Sequence, residues 1–81
     1  MSDESILDNL CTEENINIIV SSILALDEKY RDVLSLYYFN ELTVSEIAVS
    51  LGRKESTVKQ QLARGRRRLI DTIMKEVDGY E

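Results

Sequence analysis

The chain contains no proline, and its only glycines are Gly52, Gly65 and Gly79. Proline and glycine are the strongest local interrupters of regular structure, so long helical runs are left open. No stretch shows the alternation, or the valine, threonine and aromatic enrichment, of a strand. Apolar residues recur instead at helical intervals in four places. The expected fold is therefore all-α: a small four-helix domain with a C-terminal helix-turn-helix.

The first main helix is expected over residues 13–25, with Ile16, Ile19, Val20, Ile23 and Leu24 at helical spacing. Thr12 can cap it, and Glu13 and Glu14 suit the positive end of its dipole. The second is expected over 28–39 after Asp27, with Tyr30, Val33, Leu34, Tyr37 and Tyr38 facing inward or half-inward and Asn40 as a left-handed exit. The third carries the clearest local signal. Thr43-Val44-Ser45-Glu46 is a capping box. Val44, Ile47, Ala48 and Leu51 then follow at i, i+3, i+4 and i+7, and Gly52 can end the helix at positive φ. The fourth starts near Glu55 and can run to about residue 76 on a stripe of Val58, Leu62, Gly65, Leu69 and Ile73. Residues 1–12 read as a linker or a short flanking helix built on Ile6, Leu7, Leu10 and Cys11, with the linker preferred. The domain proper is placed at 13–76 and a tail at 77–81.

A chain of 81 residues is one small domain. It buries only about 60–65% of its unfolded surface, so it depends on well-packed helices, a partner or both. No run of about 18 apolar residues is present to span a membrane. Met1-Ser2-Asp3-Glu4 is acidic and has no apolar signal region. The lone Cys11 fits a reducing compartment, and the expected location is cytoplasmic. There is no histidine, and no paired-carboxylate or phosphate-loop motif. An enzyme, a metal site, a cofactor and a small-molecule substrate are accordingly not expected.

The formal net charge of -5 argues at first sight against a nucleic-acid binder. The charge is unevenly spread, however. Residues 1–52 hold two bases against ten acids, and residues 69–81 one base against four. Residues 53–68 hold seven bases (Arg53, Lys54, Lys59, Arg64, Arg66, Arg67 and Arg68) against the single acid Glu55. Such a block points to an anion-binding face unless it is simply a solvated helix surface.

Its context favours the anion-binding face. The third helix, a tight turn at 51–54 and the fourth helix have the layout of a helix-turn-helix, with a recognition helix at about 55–69. At 3.6 residues per turn, Val58, Leu62, Gly65 and Leu69 fall within about 60° of arc. Opposite them lie Ser56, Gln60, Ala63, Arg64 and Arg67, flanked by Thr57 and Lys59. Short polar residues, an amide and guanidiniums are the groups that read base edges in a major groove.

The segment Leu26–Leu69 resembles region 4 of bacterial sigma-70 family sigma factors, most closely the extracytoplasmic-function type. The resemblance is carried by Leu26-Asp27-Glu28-Lys29-Tyr30-Arg31-Asp32-Val33-Leu34, Leu36-Tyr37-Tyr38-Phe39-Asn40-Glu41-Leu42-Thr43, Glu46-Ile47-Ala48, Leu51-Gly52, Thr57-Val58-Lys59 and Leu62-Ala63-Arg64-Gly65-Arg66. With the first helix included it covers roughly residues 13–72. LuxR-type response-regulator effector domains share a similar Glu-Ile-Ala and Thr-Val-Lys spacing and form the alternative. A polymerase or anti-sigma interaction module with little DNA contact is a further alternative.

The resemblance implies recognition of the −35 promoter element and docking on the β-subunit flap of RNA polymerase, with an anti-sigma factor as a further candidate partner. It implies base readers at Ser56, Thr57, Lys59, Gln60 and Arg64. Phosphate contacts are implied at Arg53, Lys54, Arg67 and Arg68, with Thr43 at the N-terminus of the third helix. Lys54 stands where the family often has serine or proline, which puts Ser56 forward as an alternative cap and a later helix start. Tyr30, Tyr37, Tyr38 and Phe39 read mainly as core. A complete sigma factor also needs region 2, for which this sequence has no room. It is expected to be either an excised C-terminal domain or a stand-alone region-4-like regulator.

Overall fold

Local capping fixes the centre of the fold. Thr43 Oγ1 accepts from the Glu46 amide at 3.2 Å, and Glu46 Oε1 accepts from the Thr43 amide at 3.0 Å. This reciprocal box opens a helix whose far end is closed by Gly52 at φ 65. There the Arg53 amide returns to the Ala48 carbonyl at 2.9 Å and the Gly52 amide to Val49 at 3.4 Å, the paired bonds of a Schellman closure. Bonding to the Thr43 amide, and then to its hydroxyl, holds the Glu46 carboxyl below its ordinary value. The glutamate's contribution to the cap is therefore present above the usual glutamate range and fades as pH falls through the lowered value.

The computed structural model describes residues 2–78, and their side chains as far as residue 75. Five helices follow one another: α1 (Asp3–Leu10), α2 (Ile16–Leu24), α3 (Glu28–Tyr38), α4 (Val44–Leu51) and α5 (Glu55–Asp78). No strand occurs among the described residues. The fold is all-α, as the periodicity indicates, with one helix more than the four expected. Of the tail placed at 77–81, residues 79–81 lie outside the described residues.

The extra helix is α1. Ser2 caps it by accepting from the Ser5 amide at 3.2 Å. Its stability comes from packing, because eight residues are too few for an isolated helix. Leu7 is 1% exposed, and Ile6 and Leu10 pack half-buried beside it. The preferred reading of this segment as a linker is thus corrected.

Two boundaries and one cap also differ from expectation. The helix expected at 13–25 begins only at Ile16, because Asn15 is used elsewhere: its Nδ2 donates to the Leu10 carbonyl at 3.1 Å and closes the end of α1. Thr12, Glu13 and Glu14 form the turn between the two helices. Asp27 flanks α3 at the N-cap position without a side-chain bond. At the other end of α3 the left-handed residue is Glu41 (φ 56), not Asn40, and the Leu42 amide returns to the Leu36 carbonyl at 3.1 Å. Delaying the reversal by one residue lets Leu42 pack against the core.

The long α5 is the spine against which each of the other four helices packs. Val58, Leu62, Leu69, Ile70 and Ile73 on it are 5% exposed or less and face Ile19, Ile23, Val33, Leu34, Ile47 and Leu7. Gly65 sits in the same stripe where α3 crosses. A Cβ there would lie 3.0 Å from Leu34 Cδ1 and 3.3 Å from Tyr30 Cβ. Leu34 is fully buried and has little room to yield.

Gly65→Val is expected to cost about 1–3 kcal/mol through overpacking. Gly65→Ala should fall short of the ~1 kcal/mol that helix propensity alone would add. Urea denaturation followed by circular dichroism checks both. By the same measurement Leu7→Ala should cost about 2–3 kcal/mol, whereas a frayed α1 would show no effect.

Candidate nucleic-acid interface

The capped α4, the closed turn at 52–54 and the buried stripe of α5 together fix how the rest of α5 faces solvent. The Val58 amide donates to the Lys54 carbonyl at 3.0 Å, so Lys54 flanks the helix and Glu55 is its first residue. Ser56 therefore lies inside the first turn, and the later start that a Ser56 cap would give is not adopted. Ser56, Lys59, Gln60, Ala63, Arg64 and Arg67 are exposed, and Thr57 is half-buried at the edge. Val58, Leu62, Gly65 and Leu69 are buried behind them. The five expected base readers thus share the outer side and flank of one rigid helix. Among the described residues, the side chains of Lys54, Lys59 and Arg64 make no hydrogen bond or ion pair.

Other basic residues of the block are engaged within the domain. The Arg53 guanidinium donates to Gln61 Oε1 at 2.9 Å and to the Lys29 carbonyl at 3.4 Å. It braces the turn against α3 and the flank of α5, so the chain's own acceptors occupy a group expected to face phosphate. Arg67 lies 3.8 Å from Asp3 of α1 and 3.7 Å from Asp71 one turn on. These pairs are exposed and individually weak, leaving Arg67 at the surface. Arg68 lies over the Tyr30 ring at 5.1 Å. Thr43 spends its hydroxyl on the α4 cap, and its exposed position stands at that helix's N-terminus.

Arg66, Gln61 and Ser45, none of them an expected DNA contact, join the helices to one another. Arg66 Nε donates to Tyr38 Oη at 2.9 Å while its guanidinium sits 5.2 Å from the Tyr37 ring centre. Tyr37 and Tyr38 meet edge to face at 5.0 Å, and Tyr37 Oη donates to Glu4 Oε1 of α1 at 3.3 Å. Arg66 and Arg68 thus straddle α3 on either side of the Gly65 crossing, about 80° to each side of Val58 on the wheel. That angular position was the available signal, since it separates them from Arg64 and Arg67 on the outer face. Ser45 Oγ donates to Glu55 Oε1 at 3.0 Å, joining the first turns of α4 and α5. Of the aromatic residues read as core, Tyr30 is buried and Tyr37 and Tyr38 are half-buried, but Phe39 is 46% exposed. Cys11 is exposed, and local desolvation and then the Asp8 charge push its thiol upward, opposite to an activated cysteine.

The model of the family described as Sigma-70, region 4 matches residues 16–69, two thirds of the chain. The chain belongs to this family. Region 4 is a non-catalytic, DNA-binding helix-turn-helix module of transcription-initiation factors, and membership sets aside the LuxR-type alternative. The match begins at α2 and leaves α1 outside it. The chain is also similar to the ECF RNA polymerase sigma factor SigW of Bacillus subtilis (strain 168), with 40% identity over 62 residues. That alignment covers 76% of this chain and 33% of the relative, so the region 4 chain spans about a third of its relative's length. No solved structure matches it. Among the described residues no helix is long and apolar enough to cross a membrane.

The Tyr38 hydroxyl supplies a pH test of the brace behind region 4's outer face. Burial raises its pKa above the ordinary 10.0, against the opposing effect of Arg66. A raised value in the folded state means stability that is present below pH 10 and lost as pH rises through the folded pKa. Tyr38→Phe should cost about 1–2 kcal/mol near neutrality through the lost bond. It should also remove part of the alkaline decline, read from denaturation midpoints at pH 8 and pH 11.

Proposed function

We propose that this region 4 domain binds promoter DNA by sequence, recognising the −35 element with α5 in the major groove. The observation that carries the reading is the division of α5 into two sides. Its apolar stripe is wholly buried, while Ser56, Lys59, Gln60 and Arg64 stand exposed on the other side of a helix fixed at both ends of its turn. In this reading Gln60 suits adenine, Arg64 and Lys59 suit guanine or phosphate, and Ser56 and Thr57 make short contacts near the helix tip. Lys54, Arg67, Arg68 and the Thr43 end of α4 hold phosphates, while Arg53 chiefly positions α5.

The wider setting is transcription initiation on RNA polymerase, with the β-subunit flap as the docking partner and an anti-sigma factor as a competitor for the same surfaces. Support comes from the acidic remainder of the chain and from Ile16 and Leu24 of α2, which are 46% and 58% exposed. Acidic outer faces repel duplex, so affinity for promoters rests on the basic face and on being held in a complex.

The test is fluorescence anisotropy on a −35 duplex enriched from a random pool, against its scrambled counterpart. Binding should weaken steeply with salt. Gln60→Ala and Arg64→Ala should each narrow the preference between the two duplexes by about 5- to 100-fold. Arg67→Ala should weaken both alike and lower the salt slope by about 1. Equal binding of both duplexes, with no change in Gln60→Ala, would overturn base reading. Absence of DNA binding at low salt alongside binding to a β-flap fragment would leave an interaction module instead.

A further inference from the structure

The block at 53–68 contains one acid among seven bases, and that acid is the first residue of α5. We propose that Glu55 is a specificity-determining residue for cytosine, held in place by Ser45; this rests on α5 being the recognition helix. N-terminal residues of a recognition helix are those that meet base edges, while the preceding helix crosses the backbone. Glu55 and Ser45 occupy these two positions. Ser45 lies in the first turn of α4, and its Oγ donates to Glu55 Oε1 at 3.0 Å. The bond bridges the two helices of the motif.

An exposed glutamate is otherwise free among many rotamers, and ordering it on binding is costly. The tether removes part of that cost and fixes where the carboxylate stands. It uses Oε1, and Oε2 makes no hydrogen bond among the described residues. A carboxylate offers acceptors only. In the major groove, guanine presents acceptors at N7 and O6 and thymine at O4. Adenine pairs its N6 donor with an N7 acceptor, which would oppose the second oxygen. Cytosine alone presents an N4 donor without a neighbouring acceptor on the same base, so it is the base a carboxylate accepts. The negative charge also repels phosphate, so the residue disfavours wrong sequences more than it adds affinity. A helix-dipole role for Glu55 would need no bond from Ser45 and would leave base choice untouched.

The experiment is enrichment of the 81-residue chain's targets from a random duplex pool at low salt, using wild type, Glu55→Gln and Ser45→Ala. Glu55 and Ser45 are exposed, so both variants should keep the wild-type helical circular dichroism. Wild type should enrich cytosine at one position. Glu55→Gln should lose that preference by about tenfold and shift the position toward adenine, whose N6 and N7 an amide can pair together. Ser45→Ala should keep cytosine with a preference lowered about threefold. If Glu55→Gln enriches the same bases as wild type at every position, or merely binds all duplexes more tightly, the assignment fails while promoter reading stands. A wild-type chain that enriches nothing overturns both.

Discussion

The crossing of α3 over α5 at Gly65 is the contact on which the rest of the domain depends. With no side chain at that position, Leu34 and Tyr30 sit where a Cβ would meet them at 3.0 and 3.3 Å. The close approach brings Arg66 and Arg68 against the tyrosines on either side of α3. It also aligns the buried stripe of α5 with the apolar faces of all its neighbours. In a domain of this size no single helix pair buries enough surface to stand alone, so one shared spine is an efficient arrangement.

That spine carries the interface too. The face turned away from the stripe is the exposed one, so burial of Val58 and Leu62 sets the direction in which Gln60 and Arg64 point. The capping box, the Gly52 closure and the Arg53 brace fix the tip of α5 relative to α4. Preorganisation of this kind lowers the ordering cost of binding. Membership of the sigma-70 region 4 family places the domain among the DNA-binding modules of transcription initiation.

Features governed by neighbouring residues were legible in the sequence. The capping box, the glycine closure and the apolar stripe of α5 each lie within sixteen residues, and helical periodicity reports them directly. The outer face of α5 followed from the same wheel. Features governed by distant partners were not legible. α1 is too short to declare itself and exists because Leu7 enters the core. Asn15 closes α1, while Thr12, the expected cap of α2, falls in the turn before it, and the left-handed exit from α3 lies at Glu41 rather than Asn40. Among the basic residues, the wheel sets Arg66 apart from Arg64, but nothing local shows that Arg66 and Arg53 find acceptors on α3 and the far flank of α5. Long flexible side chains find such partners only in the folded chain.

The position of Gly65 along α5 has a mechanical consequence. At 1.5 Å per residue, Glu55 lies about 15 Å from the crossing on one side and Ile73 about 12 Å on the other. The crossing then works as a fulcrum near the middle of a stiff beam. Both α1 and α2 pack on this same beam, with Asp3 of α1 lying 3.8 Å from Arg67. A load placed on α2 is therefore borne by the same helix that carries the exposed polar face.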